Sequence, residues 1–154
     1  MNPEFERFRT RGQLVDVVIR VAQAVAFAHE HGVIHRDIKP ANLMQNEEGV
    51  TKIADLGLAI EVEHRSLDQT AERKVLGTPH FIAPELVRGG VPDARSDLYS
   101  LGATAYRLLS GHTPFEGEHS TEILRAALTE DPQPLGERVL GLSSGVASLV
   151  HRLL

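Results

Sequence analysis

His35-Arg36-Asp37-Ile38-Lys39-Pro40-Ala41-Asn42 is the densest polar cluster in the chain, and it lies between two apolar, strand-like pieces, Val33-Ile34 and Leu43-Met44. The loop carries a carboxylate, an ammonium and a carboxamide where a bland turn would have served. A second apolar run, Val50 to Ala54, is separated from Leu43-Met44 by Asn46-Glu47-Glu48-Gly49, a hairpin-like turn. Such a hairpin returns Asp55 to the side of Asn42. Two oxygen ligands of this kind suit Mg²⁺, a hard cation that keeps several waters and is held by few protein groups plus substrate phosphates. The residues therefore point to phosphoryl transfer. Taken alone, the loop also reads as a surface turn with an ordinary salt bridge, and Asp55-Leu56-Gly57 as the end of a strand. The pairing of Asp55 with Asn42 is what favours chemistry.

Working outward, Leu14, Val17, Val18, Val21, Val25 and Ala28 follow helical spacing and Gly32 supplies a stop, which predicts a helix over Gln13 to His31. Leu98, Leu101, Ala105, Leu108 and Leu109 predict a second helix over Ser96 to Ser110, ended by Gly111 and Pro114. Its apolar residues cover more than one face, as expected of a central buried helix. Ser120 is a candidate cap for a helix over Thr121 to Thr129, and Ser143 or Ser144 for a last one through Val146, Leu149, Val150 and Leu153. Between hairpin and central helix, Asp55 to Glu85 loses all periodicity. A structureless stretch of that length is functional or disordered.

The chain has 154 residues, no cysteine, and 16 Lys and Arg against 21 Asp and Glu, a net charge of −5. These numbers exclude a disulfide scaffold and a cysteine nucleophile, and the interspersed charges argue against nucleic acid as a partner. No apolar run approaches the ~20 residues of a membrane span, and the start lacks the order of a signal peptide, so a cytoplasmic chain is expected. His29 and His31 have no third ligand at metal spacing and read as surface histidines.

His35-Arg36-Asp37 through Asn42, Asp55-Leu56-Gly57, Gly77-Thr78-Pro79 and Ala83-Pro84-Glu85 resemble, in order, the signature set of the eukaryotic-type protein kinases. Asp97 to Gly102 and Gly111 to Phe115 are similar to the bacterial serine/threonine kinases in particular. The resemblance implies a mainly α fold, the helical C-terminal lobe of a kinase with one small β-hairpin. Residues 1–154 would be a partial kinase domain, with catalytic loop 35–42, activation segment 55–85 and central helix 96–110. It implies ATP and Mg²⁺ as cofactors and a protein substrate with a Ser or Thr acceptor. Asp37 would take or orient the hydroxyl proton, Lys39 would neutralise charge on the moving phosphoryl, and Asn42 and Asp55 would hold magnesium. Thr78 would line the acceptor pocket beside Asp37 and Lys39, and Met44 would floor the adenine. His35 and Asp97 would be structural, with Asp97 bonding the catalytic-loop backbone. Arg36, on the buried side of the loop, would receive a phosphate carried by Thr70 or, second, Ser66. Glu85 would pair with an arginine beyond Leu154.

The same resemblance calls for a glycine-rich loop, a strand lysine and a helix glutamate, and none is found before His35. The N-terminal β lobe is therefore expected to be missing, and this chain by itself to bind Mg-ATP poorly and transfer nothing. Two other readings compete: a non-catalytic docking module derived from a kinase, and a small-molecule phosphotransferase sharing the Asp37 to Asn42 spacing but lacking the Ala-Pro-Glu and Gly-Thr-Pro motifs.

Overall fold

The computed structural model of the chain describes residues 10–46, 48–55 and 78–154. Leu56, Gly57, Ser66, Thr70 and Gly77, with most of the expected activation segment, lie outside the described residues. The first helix, α1, runs Arg11–Glu30. It begins two residues earlier than periodicity alone indicates because Thr10 and Gln13 form a reciprocal capping box: Gln13 N donates to Thr10 Oγ1 at 3.3 Å and Thr10 N to Gln13 Oε1 at 2.9 Å. Gly32 ends it in a left-handed conformation (φ 73°), which lets Val33 N reach back to Ala28 O at 2.9 Å. Val17, Val21 and Val25, one stripe at helical spacing, are buried.

After a loop and a short 3₁₀ turn over Pro40–Asn42, β1 (Leu43–Gln45) and β2 (Thr51–Ile53) pair antiparallel, with Leu43 opposite Ile53 and Met44 opposite Lys52. Asn46 closes the hairpin by accepting Val50 N on its side-chain oxygen at 2.8 Å. Val33-Ile34 is not a strand. It joins no ladder among the described residues, because the chain here must climb from the end of α1 into the loop.

The second 3₁₀ turn (Pro79–Phe81) leads into the four-residue α2 (Pro84–Val87) and then the central helix α3 (Ala94–Ser110). Asp93 caps α3 in a box with Ser96, which is why the helix starts at Ala94 rather than at Ser96. Of its 17 residues 12 are buried, which makes it the axis of the molecule. On one side Leu101 and Leu108 join Val17, Val21, Val25, Ile38 and Leu43. On the other, Ala105, Tyr106 and Leu109 meet Leu135, Val139 and Val150. These last come from α5 (Leu135–Arg138), the turn after it, and α6 (Ser144–Leu153). Gly102 permits the α3–α6 approach: a Cβ there would lie 2.7 Å from that of Leu153.

Helix α4 runs Ser120–Thr129 with its amphipathic face, Ile123 and Ala126, on Phe115. Ser120 is its first residue and not its cap. That position falls to His119, whose side chain makes no capping bond, while Ile123 N bonds the His119 carbonyl at 3.3 Å. Ser143 does precede α6, again without a side-chain capping bond. No helix among the described residues is long and apolar enough to cross a membrane.

Candidate active site

The loop from His35 to Lys39 is fixed from two sides by α3. Asp97, in the first turn of α3 and 1% exposed, accepts His35 N on Oδ2 at 2.7 Å and Arg36 N on Oδ1 at 2.8 Å. Two turns later Thr104 Oγ1 donates to Ile38 O at 3.3 Å, and the Ile38 side chain is sealed in the core at 1% exposure. Between these anchors the backbone at Arg36 is left-handed (φ 69°), a conformation L side chains rarely adopt and one that persists only where surroundings impose it. His35 is buried and Arg36 exposed. The expected buried-side placement of the arginine is thus corrected. A guanidinium that cannot lose its charge has no carboxylate partner among the described residues to offset burial, and its side chain is exposed to water.

Asp37 is the hub of the polar cluster. Its Oδ2 is 2.9 Å from Lys39 Nζ and accepts Asn42 Nδ2 at 2.8 Å. The same Nδ2 also donates to the Asp37 carbonyl at 2.8 Å, and Asp37 N donates to His35 Nδ1 at 3.3 Å. With Nδ1 accepting, the His35 ring proton sits on Nε2, which is buried and without a partner among the described residues. The Asp37 side chain stays about a quarter exposed, and its Oδ1 accepts from none of the described residues. One carboxylate oxygen is held by two donors and the other, among the described residues, by none.

The hairpin brings the opposite ladder end to the same place. Ala54 N donates to Asn42 O at 2.8 Å, which sets Asp55 one residue beyond Asn42's cross-strand partner. Asp55 is exposed and left-handed (φ 58°), which aspartate tolerates better than most residues. The donor chemistry fits a magnesium ion. Asn42 spends both amide hydrogens on Asp37, leaving its carbonyl oxygen with no donor among the described residues, and Asp55 adds an exposed carboxylate. Met44, next along the strand, is 59% exposed on the face away from Leu43.

Other expected site residues are placed elsewhere. Thr78 is exposed before the Pro79–Phe81 turn and makes no hydrogen bond to Asp37 or Lys39. Glu85 is half-buried in α2 without an ion pair among the described residues; its charge adds to the upward shift of the Tyr99 hydroxyl. Three residues escaped sequence reasoning. His29, read as a surface histidine, donates from Nε2 to Asp97 Oδ2 at 2.8 Å and is only 17% exposed. Ser100 Oγ donates to Phe81 O at 2.7 Å and Thr104 to Ile38 O, tying the Pro79–Phe81 turn and the loop to one helix. The available signal was their polarity inside an apolar helix, since a buried hydroxyl must find a partner.

The protein kinase domain family matches residues 4–154. The chain belongs to the protein kinase family. Among relatives of this kinase chain, the serine/threonine-protein kinase PknB of Mycobacterium tuberculosis is 37% identical over 145 residues, 94% of this chain. PknB of Mycobacterium leprae is 38% identical over 143 residues, 92% of the chain. A probable serine/threonine-protein kinase of Corynebacterium efficiens is 38% identical over 135 residues, 88% of the chain. The kinase chain spans only 23%, 23% and 20% of the lengths of these three relatives.

Proposed function

We propose that this chain carries the catalytic loop of a serine/threonine protein kinase and serves Mg-ATP-dependent phosphorylation of Ser or Thr hydroxyls on a protein substrate. The observation that carries the reading is the division of labour at Asp37: Oδ2 is held by Lys39 and Asn42, while Oδ1 accepts from none of the described residues and is assigned to an incoming hydroxyl. As the substrate oxygen bonds to the γ-phosphorus and the bond to the β-phosphate bridging oxygen breaks, Asp37 orients the hydroxyl and takes its proton. Lys39, tethered to Asp37, places a positive charge beside the transferring group, which a partly buried site makes more effective than water would. Asn42 and Asp55 are the residues that would hold magnesium, which neutralises phosphate charge when bound. Thr78 and Met44 are assigned to the acceptor and adenine sides from their motif positions. The reaction belongs in the cytoplasm, where Mg-ATP is available.

By itself the 154-residue polypeptide is expected to transfer no phosphate, because the described residues before the catalytic loop form α1 and supply no glycine-rich loop or strand lysine for the phosphates. Radiolabelled ATP and a protein substrate test both halves. The natural polypeptide carrying this sequence should label substrate and lose that activity in Asp37→Asn, while the 154-residue chain should give no label. Robust transfer by the short chain, or full activity in Asp37→Asn, would refute the reading. Thr70 and Ser66 are proposed as phosphate carriers for exposed Arg36. A phosphopeptide map of active protein with neither residue modified removes that assignment.

A further inference from the structure

We propose that His80 is a positioning residue for the acceptor side of the site: by clamping the Pro79–Phe81 turn to the carbonyl of Phe115 it fixes the place of Thr78, and with it the seat of the substrate Ser or Thr. The proposal rests on the reading that Thr78 lines the acceptor pocket of a kinase, but its physical part can be tested without activity. A carbonyl oxygen only accepts, so the 3.1 Å contact between His80 Nδ1 and Phe115 O requires the ring proton on Nδ1. In the neutral ring Nε2 is then the unprotonated nitrogen. The bond joins two segments 35 residues apart in sequence.

The turn is too short to hold itself. It has three residues, none of them buried, no side-chain cap, and long internal bonds: Phe81 N to Thr78 O at 3.2 Å and Ile82 N to Pro79 O at 3.4 Å. Short 3₁₀ pieces have poor hydrogen-bond geometry, so outside contacts decide where one sits. Two side-chain bonds do this from opposite ends of the sequence. Ser100 Oγ of α3 donates to Phe81 O at 2.7 Å, and the Phe81 ring packs with Ala83, Tyr99 and Ala103. His80 makes the other bond, and its acceptor is itself fixed. Phe115 is 9% exposed, packs with Ile123 and Ala126 of α4, and its carbonyl also receives Thr113 Oγ1 at 2.8 Å. Thr78 opens the turn and accepts the first of its internal bonds, so any rotation of the turn about the Ser100 tie carries Thr78 with it. The second tie closes that rotation. A role in stability alone is a poorer account of His80, because it is only half-buried and the packing of α4 is already made by Phe115, Ile123 and Ala126.

Nitrogen NMR of the 154-residue chain at about pH 8, where a free imidazole is neutral, provides the first test. The His80 ring should show a protonated Nδ1 and an unprotonated Nε2; the reverse tautomer would overturn the proposal. The second test compares wild type with His80→Leu, which removes the donor, and His80→Asn, whose side-chain amide can donate from about the position of Nδ1. In the natural polypeptide, kcat/KM for the protein substrate should fall about fivefold in His80→Leu and return to within about twofold of wild type in His80→Asn, the scale of one neutral hydrogen bond. The KM for ATP should stay unchanged in both, because the tie acts on the acceptor side only. An unaltered kcat/KM in His80→Leu, an equal loss in His80→Asn, or a raised KM for ATP would each overturn the positioning role. Asp37→Asn is the parallel control. If it leaves transfer intact, the kinase reading fails while the tautomer still decides whether His80 is bonded to Phe115; if it abolishes transfer while His80→Leu phosphorylates substrate as wild type does, only the His80 proposal fails.

Discussion

Asp97 and Asp37 are both carboxylates in the same small volume, and their surroundings divide their uses. Asp97 is sealed in the core with both carboxylate oxygens occupied, whereas the Asp37 side chain is about a quarter exposed and its Oδ1 accepts from none of the described residues. Burial makes the first a rigid acceptor and leaves the second able to meet a substrate. Tyr99, two residues beyond Asp97, shows the same burial acting on a different group. Desolvation, with the nearby Glu85 carboxylate adding to it, pushes its hydroxyl up to about 12. The folded form therefore holds the phenolic proton more tightly than the unfolded chain does. That stabilisation is complete below the ordinary value of 10 and is lost as pH rises toward about 12. In Tyr99→Phe the fall in urea midpoint across this alkaline window should shrink relative to wild type. A pH series in which the two proteins lose stability in parallel would show that Tyr99 is not its source.

Among the elements, the Gly32 and Gly111 stops and the Asn46–Gly49 hairpin turn were legible, whereas the Thr10 and Asp93 capping boxes, which are just as local, lie outside the apolar spacing and move the starts of α1 and α3 two residues earlier. At the start of α3, Arg95 holds the Asp93 carboxyl below the usual carboxylate range, which keeps the cap ionised and accepting. Where a helix starts without a side-chain cap, as α4 does, the nearest serine is a poor guide to the boundary. The contact of α3 with α6 is set by an absent side chain. Alanine for Gly102 would add about 1 kcal/mol of helix propensity but force a Cβ against Leu153, and overpacking of this kind costs about 1–3 kcal/mol. Gly102→Ala is therefore expected to lower the chemical-denaturation midpoint; an equal or higher midpoint would mean that α6 shifts without penalty.

Taken as a whole, the molecule is organised by α3, which contributes to both large hydrophobic clusters, and Leu14 and Val18 of α1 pack against each of them. With no boundary between the clusters, the described residues should unfold as one cooperative unit. The protein has two tyrosines and no tryptophan, and both tyrosines lie on α3, so intrinsic fluorescence reports the centre while far-UV circular dichroism reports the helices as a group. The two urea transitions should coincide. Separate midpoints would show that α1 with the hairpin and α5 with α6 melt independently. The candidate site draws on this unity, because its loop backbone is bonded by Asp97 of α3, more than 60 residues away in sequence, and Asp97 in turn bonds His29 of α1.

The sequence by itself determined the four longer helices from apolar spacing, the hairpin from its turn residues, and the choice of Asp37, Asn42 and Asp55 as the candidate site from residue types that share few uses. Each of those signals is local, so a short window contains it. Only the tertiary structure decided that His29 belongs with Asp97, that Arg36 faces water, and that Ser100 and Thr104 fasten two loops to the central helix. Such contacts join groups of long sequence separation, and what selects them is the requirement that each buried donor and acceptor be paired once the apolar faces have packed. That condition has no local pattern, because the partners are unknown until the helices have met.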